Sequence, residues 1–121
     1  MSMCRGIRGA TTADSNTQED ILSATKELLE QIIADNHILP EDVATVILTT
    51  TPDIDAAFPA RAVRMIGWSE VASLGAQELG VPDALKLCIR ILILWNTDLS
   101  QAEIKHVYLR GATNLRPDRA R

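Results

Sequence analysis

Arg90 is the only charged residue in the nine-residue run Leu87-Cys88-Ile89-Arg90-Ile91-Leu92-Ile93-Leu94-Trp95. A guanidinium carries five N–H donors and no acceptor, so holding one among aliphatic side chains is costly unless a partner satisfies it. Two kinds of partner fit: an internal carboxylate such as Glu78, or a small anion bound beside it, and the sequence leaves both open. Glu78 itself has a plainer reading as a surface carboxylate in a loop. Arg8 lies in Gly6-Ile7-Arg8-Gly9, where small neighbours let a ligand approach the backbone, or where the arginine is simply a solvated strand end. Tyr108 alternates with His106 and Arg110, a pattern equally consistent with packing. Arg116-Pro117-Asp118 falls near the C-terminus, where a charged, frayed end is the bland alternative. Such a set of arginines with one glutamate and one tyrosine suits orienting an anion and stabilising developing charge rather than making bonds.

The missing motifs agree. The chain has no G-x-x-x-x-G-K-[ST] or G-x-G-x-x-G loop and no His/Cys/carboxylate cluster at metal spacing, and His37 and His106 have no plausible Ser or Cys nucleophile partner. Covalent and metal catalysis are disfavoured, and neither cofactor nor metal is expected.

The elements that must position these side chains belong to a chain of 121 residues, 46% hydrophobic and 23% charged, which is the size and balance of one ordinary globular domain over residues 1–121. A chain this short hides about 65% of its unfolded surface, so surplus apolar strand calls for cover from neighbouring subunits. Twelve basic against 16 acidic residues give a net charge of −4, which argues against a nucleic-acid or anionic-membrane partner. Residues 14–42 carry eight acids and one base, Lys26, so the rest of the chain is net positive, and nine of the 12 bases are arginine. Arginine grips carboxylates through paired hydrogen bonds, so a small anion fits better than a polyanion. Two cysteines, Cys4 and Cys88, make no disulfide framework, and no apolar run reaches signal-peptide or membrane-span length; a cytoplasmic location is expected.

Thr17, followed by Gln18-Glu19-Asp20, marks a helix start, and Ile21, Leu22, Leu28, Leu29, Ile32 and Ile33 give that helix one apolar face ending near Asn36. Residues 43–51 are β-branched and apolar and read as a central strand. Pro59 opens a short helix over 59–67 that places Arg61 and Arg64 on one face. A short extended segment is expected at 69–73 and a turn of helix at 81–85. In the run 87–95, strand alternation puts Cys88, Arg90, Leu92 and Leu94 on one face and Leu87, Ile89, Ile91, Ile93 and Trp95 on the other. With strands at 5–10 and 106–111, the order predicts an α/β or α+β fold: a small mixed β-sheet with the long helix packed on one face.

Arg5-Gly6-Ile7-Arg8-Gly9-Ala10-Thr11-Thr12, Thr51-Pro52-Asp53, Phe58-Pro59-Ala60, Gln77-Glu78, Cys88-Ile89-Arg90, His106-Val107-Tyr108-Leu109 and Leu115-Arg116-Pro117-Asp118 together resemble the AroH-type monofunctional chorismate mutases, in order and over residues 5–118. The resemblance implies a homotrimer forming a pseudo-α/β barrel, with active sites in clefts between subunits. It also implies the cofactor-free rearrangement of chorismate to prephenate. By matching motif, Arg90 would donate to the ether oxygen and a carboxylate, Arg8 and Tyr108 would hold carboxylate oxygens, and Glu78 would accept from the ring hydroxyl. Phe58, Ala60, Arg61, Arg64 and Leu115 would line the cleft, and Arg116, in a mobile tail over 115–121, would close it.

The pattern is broken at two substrate-binding positions. Gly75 stands where relatives commonly carry a cysteine that contacts the substrate hydroxyl, leaving only a backbone contact, and Leu74 stands where threonine is common. Arg61 replaces a frequent lysine with the charge retained. Two other readings stay in play: a trimeric binder of a small dicarboxylate that turns nothing over, and a deaminase on a similar trimeric architecture.

Overall fold

The computed structural model describes residues 2–115. Helix α1 (Gln18–Asn36) starts where the cap residue was expected: the Thr17 hydroxyl accepts from the Asp20 N–H at 3.2 Å, and Glu19 and Asp20 occupy the positive end of the helix dipole. Ile21, Leu22, Leu28, Leu29 and Ile32 are buried, whereas Glu27 and Glu30 are exposed. Asn36 is the last helical residue, and His37 takes the left-handed cap at φ 56°. The Asn36 amide is instead used across the fold, donating to the Lys105 carbonyl at 2.8 Å and accepting from its N–H at 2.9 Å.

Among the described residues five strands form one mixed sheet: β1 (Met3–Thr12), β2 (Val43–Thr50), β3 (Ser73–Gln77), β4 (Cys88–Thr97) and β5 (Val107–Tyr108), in the order β3-β2-β4-β1-β5. Central β4 is antiparallel to both β1 and β2, while β3 and β5 add at the edges in parallel. Helix α1 covers one face of this sheet. Ile7, Val46, Leu48, Ile91 and Ile93 meet Leu28, Leu29 and Ile32 there, and all are buried. Gly9 allows the close approach: a Cβ at that position would stand 2.6 Å from the Ile32 Cδ1 and 3.2 Å from the Leu28 Cδ1. The short helix α2 (Arg61–Met65) joins the same core through Ala62 and Val63. Among the described residues no helix is long and apolar enough to cross a membrane.

The expected elements are present with altered ends. β1 runs longer than 5–10 because it pairs with β4 along its whole length, from Met3 opposite Thr97 to Thr12 opposite Cys88. The extended segment expected at 69–73 lies at Ser73–Gln77 instead. Ser, Gly and Ala are poor strand formers, and pairing with β2 overrides their propensity. No helix forms at 81–85, since Asp83 sits at φ 66°, a left-handed conformation no right-handed helix admits; one Ala84 N–H to Val81 carbonyl bond closes a turn. The last strand stops at Tyr108 rather than at 111. Arg110 takes φ 51°, and the chain coils into a 3₁₀ helix over Arg110–Asn114.

Candidate active site

Strand register sets the site. Thr49, Arg90, Ala10 and Tyr108 are successive partners across β2, β4, β1 and β5, so their side chains rise from the same face, the one turned away from α1. Ala10, between the arginine and the tyrosine, carries only a methyl group. A hollow of about 230 Å³ opens there, lined by Arg8, Ala10, Ile47, Thr49, Arg90, Leu92 and Tyr108 among others. Two larger hollows, of about 410 and 430 Å³, lie beside Glu41 and Glu70 and along the Glu27–Glu30 stretch of α1. The charged groups are Glu41 and Glu70 in the first and Glu27, Glu30 and Lys26 in the second, so size favours them as sites but charge does not; the hollow lined by Arg8 and Arg90 is the one whose charge suits an anion.

Glu78 is no loose surface carboxylate. One residue beyond β3, its N–H donates to the Thr50 carbonyl at 2.8 Å, and its side chain is only 19% exposed. Its Oε1 lies 3.1 Å from Arg90 Nε, and its Oε2 accepts from the Thr49 hydroxyl at 2.6 Å. The internal pairing anticipated for Arg90 therefore exists, and the anion-sized hollow exists beside it. The pair approaches through Nε, one donor of five, and Nε is buried without an aligned hydrogen bond. The Tyr108 hydroxyl is likewise buried with no hydrogen-bond partner, in a residue 1% exposed. Buried polar groups without a partner also occur on the α1 side, at the Thr11 hydroxyl and the Trp95 indole N–H; what sets Tyr108 apart is that its hydroxyl belongs to a residue lining an open hollow beside an arginine.

The ends of the strands are tied down. The Asp53 carboxylate accepts from the Thr51 hydroxyl at 2.5 Å and from the Leu87 N–H at 2.8 Å, bracing the entry to β4 where Leu87 sits at φ 51°. Partial burial works against the Asp53 charge, but these hydrogen bonds and nearby Lys86 outweigh it and leave its pKa lowered. Two residues from Arg90, burial pushes the Cys88 thiol up to about 11, with Arg90 opposing the shift and Glu78 adding to it, so the sulfur is neutral at neutral pH. Beyond β5, Arg110 grips Glu27 of α1 through Nε–Oε1 and Nη2–Oε2 contacts of 3.1 and 3.3 Å. That bidentate grip holds the turn after Tyr108 against the helix. Arg8 lines the hollow at β1, where its backbone N–H donates to His106 Nδ1 at 2.9 Å.

Of the residues expected to act, one chain gathers Arg8, Arg90 and Tyr108 at the hollow, with Glu78 behind Arg90. Leu115 packs on the cluster of Ala10, Tyr108 and Ala112. The others lie elsewhere in the chain. Phe58 is 79% exposed, and Arg61 and Arg64 are exposed on α2, which packs against the α1 side of the sheet. Ala60 packs on that core too. Leu74 and Gly75 lie exposed on the edge strand β3. Arg116 lies outside the described residues, as does the tail beyond Leu115. The sequence reading passed over Thr49, whose signal was a hydroxyl in an apolar strand, legible only once register set it beside Arg90. Among the described residues no group of three or more His, Cys, Asp or Glu is placed to hold a metal ion.

The family model for chorismate mutase type I matches residues 4–119. The chain is 51% identical over 117 residues to chorismate mutase AroH of Bacillus subtilis (strain 168), covering 96% of this chain and 92% of that protein. It is 50% identical over 117 residues to chorismate mutase AroH of Thermus thermophilus, covering 96% of each. Its fold matches a solved chorismate mutase from Clostridium thermocellum with a TM-score of 0.89 and 43% identity, over 91% of this chain and 98% of that one. With a mixed sheet of matching fold and near full-length identity behind it, the chain belongs to the chorismate mutase type I family.

Proposed function

We propose that this protein isomerises chorismate to prephenate, on the route to phenylalanine and tyrosine, by electrostatic stabilisation of the transition state and restraint of the substrate. The reaction is a unimolecular rearrangement: the ether C–O bond breaks, a C–C bond forms, and nothing is gained or lost. Bond breaking runs ahead, so negative charge builds on the ether oxygen. Arg90 donates to that oxygen and to a carboxylate, a contact stronger in the transition state than in the ground state, which is what accelerates the step. Arg8 and Tyr108 hold carboxylate oxygens so that the reacting carbons meet. Glu78 accepts from the ring hydroxyl and opposes the positive charge growing on the ring. The observation that carries this reading is the placing of Arg90, held by Glu78 through one of its five donors, and of the buried, unpartnered Tyr108 hydroxyl at one hollow that Arg8 also lines.

The site is completed between subunits of a homotrimer. Small-molecule sites usually enclose about 300–1,000 Å³, more than the single-chain hollow holds. Phe58, Ala60, Arg61 and Arg64 lie on the α1 side of the sheet, so they reach an Arg90 hollow only in a neighbouring copy, whereas Leu74, the β3 partner of Ile47, shares the hollow's face in the same chain, with Gly75 next to it. Leu92, Leu94 and Ile47 on the helix-free face are only half buried, leaving apolar surface for that copy to cover. Arg116 lies outside the described residues, and its role in closing the cleft rests on the family resemblance alone. The whole chain acts as one domain, in the cytoplasm, where the free Cys4 and Cys88 stay reduced.

Incubating the purified protein with chorismate tests the reading. Loss of chorismate absorbance with stoichiometric prephenate supports it. Binding with a flat signal would make the protein a dicarboxylate binder, and ammonia release from an enamine substrate would make it a deaminase.

A further inference from the structure

We infer that Thr49 is a positioning residue, whose hydroxyl turns the Glu78 carboxylate toward Arg90 and so sets both groups that face the substrate; this rests on the function proposed above. Glu78 needs such a hold. It follows the last residue of an edge strand, and the chain beyond it runs out through Leu79, 85% exposed, and exposed Gly80 and Val81. A glutamate there has freedom to swing into solvent, where it would leave Arg90 unpaired and offer nothing to a ligand. Two bonds to β2 prevent this: the Glu78 N–H to the Thr50 carbonyl fixes the main chain, and the Thr49 hydroxyl to Oε2 fixes the side chain. With Oε2 engaged, Oε1 is the oxygen left beside Arg90 Nε.

Thr49 is suited to the task. It lies within β2, directly opposite Arg90 on one side and Ala76 on the other, and its β-branched side chain is stiff at χ1, so the hydroxyl is aimed before the glutamate arrives. Ala76 and Glu78 alternate to the same face of β3 and its continuation, and the small Ala76 leaves room for the longer side chain to lean back across the pair. A hydrogen bond to an ionised carboxylate is among the stronger kinds, and at 2.6 Å it is short.

The test compares Thr49→Val, which keeps shape and strand preference but removes the donor, with Thr49→Ser, which keeps the donor, each also made in a Glu78→Ala background. Thr49→Val is expected to lower kcat/KM about tenfold, mostly in kcat. Thr49→Ser should recover most of that loss. In the Glu78→Ala background, Thr49→Val should cost nothing further, because the group it positions is gone. If valine prevents folding, Thr49→Ala carries the same comparison. An unchanged rate in the donor-free variant, failure of serine to rescue, or an equal loss with and without Glu78 would overturn the inference while leaving wild-type mutase turnover, and so the proposed function, intact. Absence of turnover in the wild type would overturn both.

Discussion

Arg90 and Ile91 are consecutive residues of β4, and they live in different chemistries. Ile91 faces α1, 2% exposed, in a core with Leu28, Ile32 and Leu48 that is apolar throughout and packed tightly enough that Gly9 has no space for a methyl group. Arg90 faces the other way, its side chain 35% exposed beside a hollow, with a carboxylate, a hydroxyl and a tyrosine at hand and a donor left unaligned. Because strand side chains alternate with period two, a single strand serves stability on one face and chemistry on the other. The helix-covered face closes its apolar packing within the chain, with the Thr11 hydroxyl and the Trp95 indole N–H buried there without hydrogen-bond partners; the opposite face holds the ion-paired Arg90, the unpartnered Tyr108 hydroxyl and half-buried leucines around an open hollow.

The sharpest way to break this comparison is to alter the two neighbours separately. Arg90→Ala should reduce kcat/KM by more than the about 10²–10³ typical of losing one preorganised donor, since the charge goes too, while the urea midpoint stays near that of the wild type. Arg90→Lys should recover only part, because an ammonium lacks the planar fork. Ile91→Ala should do the reverse, costing about 2–5 kcal/mol of stability as a cavity opens under α1, with turnover per folded molecule largely kept. Equal damage to stability and rate in both variants would erase the distinction between faces.

A smaller effect is expected at Asp53, which braces the start of β4 from outside either face. Its folded pKa lies below the ordinary 3.8, so its contribution to stability is present above that value and is lost as pH falls through the folded pKa. Asp53 is exposed, so solvent screening limits the contribution to about 0.2–1 kcal/mol. Asp53→Asn should therefore be slightly less stable than the wild type at pH 7 in urea unfolding, with the gap narrowing below pH 3.8. A gap that widens with acid would contradict the bracing assigned to the carboxylate.

Much of the helix-covered face was legible in the sequence, because apolar periodicity reports directly on burial: the α1 stripe and the alternation in β4 are both as the pattern predicts. The Thr17 cap was legible for an equally local reason. What escaped was held by partners distant in sequence. β3 has no strand character of its own and forms because β2 offers it an edge. Arg110 ends β5 early by adopting a left-handed conformation that Glu27, 83 residues away, helps to hold. At the site, Arg90 announced itself as a charge in an apolar run, and the motifs carried Arg8, Glu78 and Tyr108 with it. Thr49 did not, because an ordinary threonine in a strand acquires meaning only when register sets it between Arg90 and the chain that bears Glu78.

The central claim is that the positive charge of Arg90, and not merely its shape or its hydrogen bonds, meets the charge that develops on the substrate's ether oxygen. Replacing Arg90 with citrulline, its neutral isostere, and measuring kcat for chorismate tests this most directly. The account predicts a fall of several orders of magnitude with the fold unchanged; a near-normal kcat would contradict it.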